Sequence, residues 1–80
     1  MKLPRNVSSR ELIKALGKIG YGVSRQKGSH IRVTCQFPTR HHITVPDHDP
    51  IKIGTLSAIL SDIASHRNQT KEELINQLFG

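Results

Sequence analysis

The residue types best suited to phosphate chemistry are concentrated in the run Arg25-Gln26-Lys27-Gly28-Ser29-His30 and in Arg32 just beyond it. His30 can accept a proton, because neighbouring cations favour the neutral form of an imidazole. Lys27 and Arg32 carry positive charge that can hold a phosphate. The pattern therefore predicts a phosphate-binding site with a proton acceptor at its centre.

Gly28 and Ser29 lie where a turn is expected between two strands. Gly28 tolerates positive φ, and the backbone amides of such a turn can bind an anion. We expect Gly28 and Ser29 to orient a phosphate and Arg25 to add positive charge. RNA fits such a site, because it supplies its own nucleophile, the 2′-hydroxyl. An enzyme need only align the strand, remove the 2′ proton and stabilise the charge that develops on the phosphate.

The remaining histidines and the cysteine give weaker signals. Alternation places His41 and His42 on opposite faces of a strand, so His42 shares the polar face and is a candidate for a second acid or base role. An exposed strand residue or a phosphate contact is the plainer interpretation. The run Asp47-His48-Asp49 lacks a second ligand cluster and favours a turn, so we expect no metal and no cofactor. Cys35 falls on the apolar phase and is expected to be buried.

Charge is segregated along the chain, which has 80 residues and a net charge of +6. Residues 1–45 carry nine Lys/Arg and one acidic residue (+8), whereas residues 46–80 carry three Lys/Arg and five acidic residues (−2). A basic segment of this kind is typical of a protein that binds a polyanion. The single cysteine excludes an intramolecular disulfide, and no apolar run could span a membrane. We therefore expect a cytoplasmic protein.

Helix and strand patterns place these residues in a small α+β fold. A capping-box spacing at Ser8 and Glu11 predicts a first helix over residues 9–19, and three alternating segments predict an antiparallel meander. Gly54 or Thr55 is expected to open a second helix, and Thr70 a third over residues 71–79. The order α-β-β-β-α(-α) predicts a three-stranded antiparallel sheet with helices on one face, forming a single domain of residues 1–80.

Several motifs in this order resemble the HicA toxins of bacterial toxin–antitoxin systems. They are Lys27-Gly28-Ser29-His30, Val45-Pro46 with His48, and Gly54-Thr55-Leu56 followed by Ile59-Leu60, within a resemblance that covers residues 8–66. The resemblance implies a fold like that of double-stranded RNA-binding domains. It also implies an mRNA interferase that cleaves RNA without a metal, with His30 as the catalytic residue, and a cognate HicB antitoxin that blocks the site. We expect the free toxin to be monomeric.

Three functions are compatible with these observations. The first is a metal-independent endoribonuclease toxin with His30 as general base, which predicts products with 2′,3′-cyclic phosphate ends. The second is a non-catalytic RNA-binding module of the same fold, which predicts salt-sensitive binding without cleavage. The third is a protein whose main task is to bind a partner, which predicts little effect on RNA. Binding alone does not require His30, and this favours the first function.

Overall fold

A capped helix opens the fold. The computed structural model describes residues 3–80, so the first two residues of the predicted domain lie outside the described residues. Helix α1 spans Ser9–Gly17. The predicted capping box is present: the Ser8 hydroxyl accepts a hydrogen bond from the Glu11 amide at 3.1 Å, and the Glu11 carboxylate accepts one from the Ser8 amide at 3.4 Å. α1 ends two residues before the predicted limit, because the chain turns through Gly20, whose φ is +97°.

Three strands form an antiparallel meander. β1 spans Gly22–Lys27, β2 spans His30–Cys35 and β3 spans His41–Pro46, and β2 lies between the other two. Along β2, exposed residues alternate with the buried residues Ile31, Val33 and Cys35. This alternation gives the sheet one apolar face and one polar face.

Two further helices follow the sheet. α2 spans Ile53–His66 and begins slightly earlier than predicted, with Lys52 as an N-cap that makes no side-chain hydrogen bond. α3 spans Lys71–Phe79 and has the predicted capping box between Thr70 and Glu73. The order of elements confirms the predicted α-β-β-β-α-α fold. No helix within residues 3–80 combines the length and the apolar character needed to cross a membrane.

All three helices contribute to one apolar core with the sheet. Helix α3 supplies three buried side chains and is therefore part of this core. The most deeply buried side chains come from α1, the sheet, α2 and α3: Leu12, Leu16, Val33, Cys35, Val45, Leu56, Leu60, Ile63, Leu74 and Leu78. The polar face of the sheet is therefore left open to solvent.

A buried tyrosine closes the core where β2 ends and β3 begins. Tyr21 is only 3% exposed, and its hydroxyl lies 2.6 Å from Nδ1 of His41. Burial raises the pKa of the Tyr21 hydroxyl well above its ordinary value, and contact with Cys35 raises it further. The hydroxyl consequently stays protonated. It donates to Nδ1 of His41, because the other ring nitrogen, Nε2, faces the Asp62 carboxylate at 3.3 Å and carries the ring proton.

Candidate active site

The tip of the β1–β2 hairpin sets the position of His30. Lys27 is the last residue of β1, His30 is the first of β2, and the two form the final cross-strand pair. Gly28 and Ser29 make a two-residue turn in which Gly28 has φ +58°. A glycine with positive φ at the first turn position matches the twist of two antiparallel strands. The sequence therefore brings Lys27 and His30 side by side on the polar face.

A bulge in β1 brings Arg25 to the same face. Strict alternation would place Arg25 with Tyr21 and Val23, on the apolar side. The register instead shifts between Val23, which pairs with Val33, and Arg25, which pairs with Arg32. Such a bulge adds one residue to a strand and turns the following side chains to the other face.

Ser24 is the extra residue of this bulge. Its hydroxyl lies 2.7 Å from the Thr34 hydroxyl and 3.4 Å from the Arg32 carbonyl oxygen, to which it donates. These contacts hold the bulge against β2. Ser24 therefore helps to fix the direction in which Arg25 points.

The polar face forms an open concavity of about 260 Å³. Four side chains that line it have no hydrogen-bond or ion-pair partner among residues 3–80: Arg25, Lys27, His30 and Arg32. The positive charge of Arg25, Lys27 and Arg32 is consequently not neutralised by a neighbouring carboxylate of the described chain. We refer to this surface as the basic concavity, and its lining residues are Arg25, Lys27, His30, Arg32 and Thr44.

A short network fixes the hairpin tip to the rest of the fold. The Asp47 amide donates to the Ser29 carbonyl at 2.7 Å, and the Asp47 carboxylate accepts a hydrogen bond from the Ser9 hydroxyl at 2.8 Å. Ser9 is 5% exposed and lies at the start of α1. Asp47 therefore positions the turn beside His30, and its carboxylate is already engaged with Ser9.

His42 lies on the polar face but away from His30. It pairs with Thr34, and its Nδ1 is 3.3 Å from the Thr34 hydroxyl. The register therefore places His42 opposite Thr34 and not opposite His30 or Arg32. Thr34 is four residues along β2 from His30, which corresponds to roughly 13 Å. One phosphate cannot contact both imidazoles at that separation.

Comparison with models of protein families gives one match. Residues 9–64 match the family described as the HicA toxin of bacterial toxin–antitoxin systems. The match covers 56 of the 80 residues, including α1, the whole sheet and most of α2. The chain belongs to the HicA toxin family. Comparison with curated proteins and with solved structures found no match.

Membership of the HicA family confirms the resemblance of the sequence and implies a cognate antitoxin. In this HicA chain the basic concavity lies wholly within the matched residues, whereas α3 lies beyond them.

The structure brings together most of the site residues expected from sequence. Arg25, Lys27, His30 and Arg32 line one concavity, and Gly28 and Ser29 form the turn beside it. His42 lies outside it. Sequence reasoning missed Thr44, which pairs with Arg32 across β2 and β3. The pairing register is the signal that identifies Thr44, and it depends on the length of the β2–β3 connection.

Proposed function

We propose that this HicA-family toxin is a metal-independent endoribonuclease that cleaves mRNA with His30 as its general base. The observation that carries the proposal is an exposed imidazole that shares one concavity with three cations. Within residues 3–80 none of these cations is paired with a carboxylate. Such a surface suits RNA, because the cations can bind its phosphates and the imidazole can remove the proton of one 2′-hydroxyl.

The donor set of the basic concavity supports cleavage without a metal. Mg²⁺ and Ca²⁺ are held in proteins mainly by carboxylate and carbonyl oxygens. No Asp or Glu among the described residues lines the concavity, and the nearby Asp47 carboxylate is engaged by Ser9. Lys27, Arg25 and Arg32 can instead stabilise the charge that develops on the phosphate.

In the proposed reaction the 2′-oxygen attacks the adjacent phosphorus. His30 takes the 2′ proton, the O2′–P bond forms and the P–O5′ bond breaks. The departing 5′-oxygen takes a proton from solvent, which reaches the open concavity, and His30 later returns its proton to water. Lys27 is the cross-strand neighbour of His30, so its ammonium group is placed to contact the phosphate beside the 2′-hydroxyl that His30 deprotonates. The products carry a 2′,3′-cyclic phosphate and a 5′-hydroxyl, and DNA is not cut.

Cleavage of mRNA would arrest translation in the cytoplasm, as expected of a toxin. A HicB-type antitoxin would inhibit the toxin by covering the basic concavity, because bound RNA and bound antitoxin would compete for the same cations. The free toxin is proposed to act as a monomer.

The decisive experiment compares wild type with His30→Ala on an end-labelled mRNA in excess EDTA. Removal of a general base typically lowers the rate by about 10²–10⁴-fold. The matched control is His42→Ala, which removes an exposed imidazole from the same sheet face outside the basic concavity. We expect His42→Ala to cut at nearly the wild-type rate.

Analysis of product ends tests the chemistry separately. A substrate with 2′-deoxyribose at the cleaved position should be resistant, and products should carry cyclic phosphate ends. Equal cleavage by wild type and His30→Ala, products with 5′-phosphates, or cleavage of DNA would each disprove the mechanism. RNA binding without cleavage by wild type would establish the non-catalytic binding module instead.

A further inference from the structure

A second group of reactive side chains lies at the other end of the sheet. Cys35 is the last residue of β2, His41 is the first of β3, and His66 is the last of α2. Each offers a ligand atom, and the three atoms lie within 4.8 Å of one another. Cys35 is five residues along β2 from His30, which corresponds to roughly 16 Å. The group therefore lies apart from the basic concavity.

We propose that Cys35, His41 and His66 bind one Zn²⁺-like divalent cation. One thiolate and two imidazoles form a donor set typical of tetrahedral zinc, with a fourth position for water or another ligand. Cys35 is 1% exposed, whereas both histidines are partly exposed, so a cation can approach from their side. The proposal does not depend on the proposed function.

Contacts of His41 resemble those that orient a metal-binding imidazole. Nε2 of His41 lies 3.3 Å from Oδ1 of Asp62, and Nδ1 receives the hydroxyl of Tyr21 at 2.6 Å. When a carboxylate accepts the N–H of one ring nitrogen, the lone pair that can bind a metal is on the other nitrogen, as in many zinc sites. Nδ1 is thus the ligating nitrogen, and a cation would displace the Tyr21 hydroxyl from it.

The thiol and the second imidazole already share an acceptor. Sγ of Cys35 lies 3.8 Å from the carbonyl oxygen of Thr39 and 4.0 Å from Nε2 of His66. Nε2 of His66 lies 3.1 Å from the same carbonyl, to which it must donate. Binding of a cation replaces these donations: the thiol loses its proton to solvent, and Nε2 of His66 gives up its proton as the ring takes the tautomer that is protonated on Nδ1.

A modest rearrangement completes the site. The rings of His41 and His66 stack with centroids 4.1 Å apart and planes 8° apart, so their lone pairs do not converge. A cation lies in the plane of each ligating ring, and one ring must therefore turn. His66 is the ring that can turn, because its hydrogen bonds within the described residues, to Thr39 and to Cys35, both involve Nε2, whereas both nitrogens of His41 are held.

Such a cation would stabilise the fold by linking separate elements. It would join the β2–β3 connection, residues 36–40, to the end of α2, which the described contacts join through the Thr39 carbonyl. Sequence reasoning expected no metal because the run Asp47-His48-Asp49 lacks a second ligand cluster. The ligands proposed here are 6 and 25 residues apart in the chain, so only folding brings them together. Structural zinc sites contribute directly to the free energy of folding.

The test is a titration of the untagged, metal-free full chain with Co²⁺, followed by Zn²⁺. We expect a thiolate-to-cobalt charge-transfer band that saturates at one equivalent and is abolished when Zn²⁺ displaces Co²⁺. Cys35→Ser should lose the band, and Asp62→Asn should weaken binding by about 10–100-fold, because it removes the partner of His41. His42→Gln is the matched control, since His42 neighbours His41 but faces the other side of the sheet.

Thermal unfolding gives a second readout that does not depend on the variants folding equally well. One equivalent of Zn²⁺ should raise the Tm of wild type and of His42→Gln. Absence of both a charge-transfer band and a rise in Tm in wild type would overturn the proposal. A band that persists in Cys35→Ser, or that disappears in His42→Gln, would also overturn it. Comparison of wild type with His30→Ala and analysis of the product ends test the proposed function without involving this site, so the two proposals can fail independently.

Discussion

Phosphate binding by the basic concavity should leave a measurable signature in the salt dependence of RNA affinity. Arg25, Lys27 and Arg32 are its three cations, and none has an ion-pair partner among the described residues. Each neutralised phosphate on a single strand contributes a slope of about −0.7 to a plot of log K against log salt. Three contacts give a slope of about −2.1, so a roughly fourfold rise in salt weakens binding about 18-fold.

Arg32→Ala removes the central cation of the set, which pairs with Arg25 on one side and Thr44 on the other. The slope should fall to about −1.4, so the same rise in salt weakens binding only about sevenfold. Fluorescence anisotropy with a labelled single-stranded RNA measures the dissociation constant at each salt concentration. The His30→Ala background keeps the RNA intact during the measurement.

Lys14→Ala is the matched control. It makes the same change in net charge, but Lys14 is exposed on α1, in the helical layer. Its slope should stay near −2.1. If Arg32→Ala leaves the slope unchanged, Arg32 makes no phosphate contact. If Lys14→Ala lowers the slope as much as Arg32→Ala, net charge and not the basic concavity governs binding, and the reasoning is refuted.

Two further predictions concern stability. A Cβ at Gly28 would meet no atom within 4 Å, so the cost of Gly28→Ala comes only from the backbone conformation, φ +58°. We expect Gly28→Ala to lower the free energy of unfolding by about 1 kcal/mol, or Tm by roughly 4–8 °C. Gly28→Asn should be destabilised less, and thermal unfolding measures both. A smaller loss for Ala than for Asn would contradict this. Hydrogen bonds from Thr70 lower the pKa of Glu73 below its ordinary value of 4.5. The ionised carboxylate therefore stabilises the fold above the ordinary pKa, and this stabilisation is lost as the pH falls through the lowered pKa. In Glu73→Gln the free energy of unfolding should therefore fall less steeply as the pH is lowered than in wild type. The same steepness in both proteins would disprove this role of Glu73.

Local patterns were sufficient to predict most of the fold. Capping boxes at Ser8 and Thr70 predicted two helix starts correctly, because each satisfies backbone amides through neighbours in sequence. The Gly28 turn and the alternation along β2 likewise predicted the hairpin that carries His30. These features depend on residues within a few positions of one another.

Features that depend on pairing or packing were not predictable. The β1 bulge at Ser24 has no glycine or proline to indicate it, so the face of Arg25 could not be inferred from alternation. The start of α2 was misplaced because Lys52 offers no side-chain cap. Thr44 and the partner of His42 required the register between β2 and β3.

Helix α3 lies beyond the family match but belongs to the hydrophobic core. The family match ends at residue 64, yet Leu74 and Leu78 beyond it are 0% and 1% exposed. The Leu78 carbonyl also accepts a hydrogen bond from Nζ of Lys18 at 3.2 Å, so α3 is held to the end of α1. A fragment trimmed to residues 9–64 would present to water the apolar sides of α1 and α2 that pack against α3. The family match and the hydrophobic core therefore have different boundaries in this chain, and a truncated variant should be designed by the second.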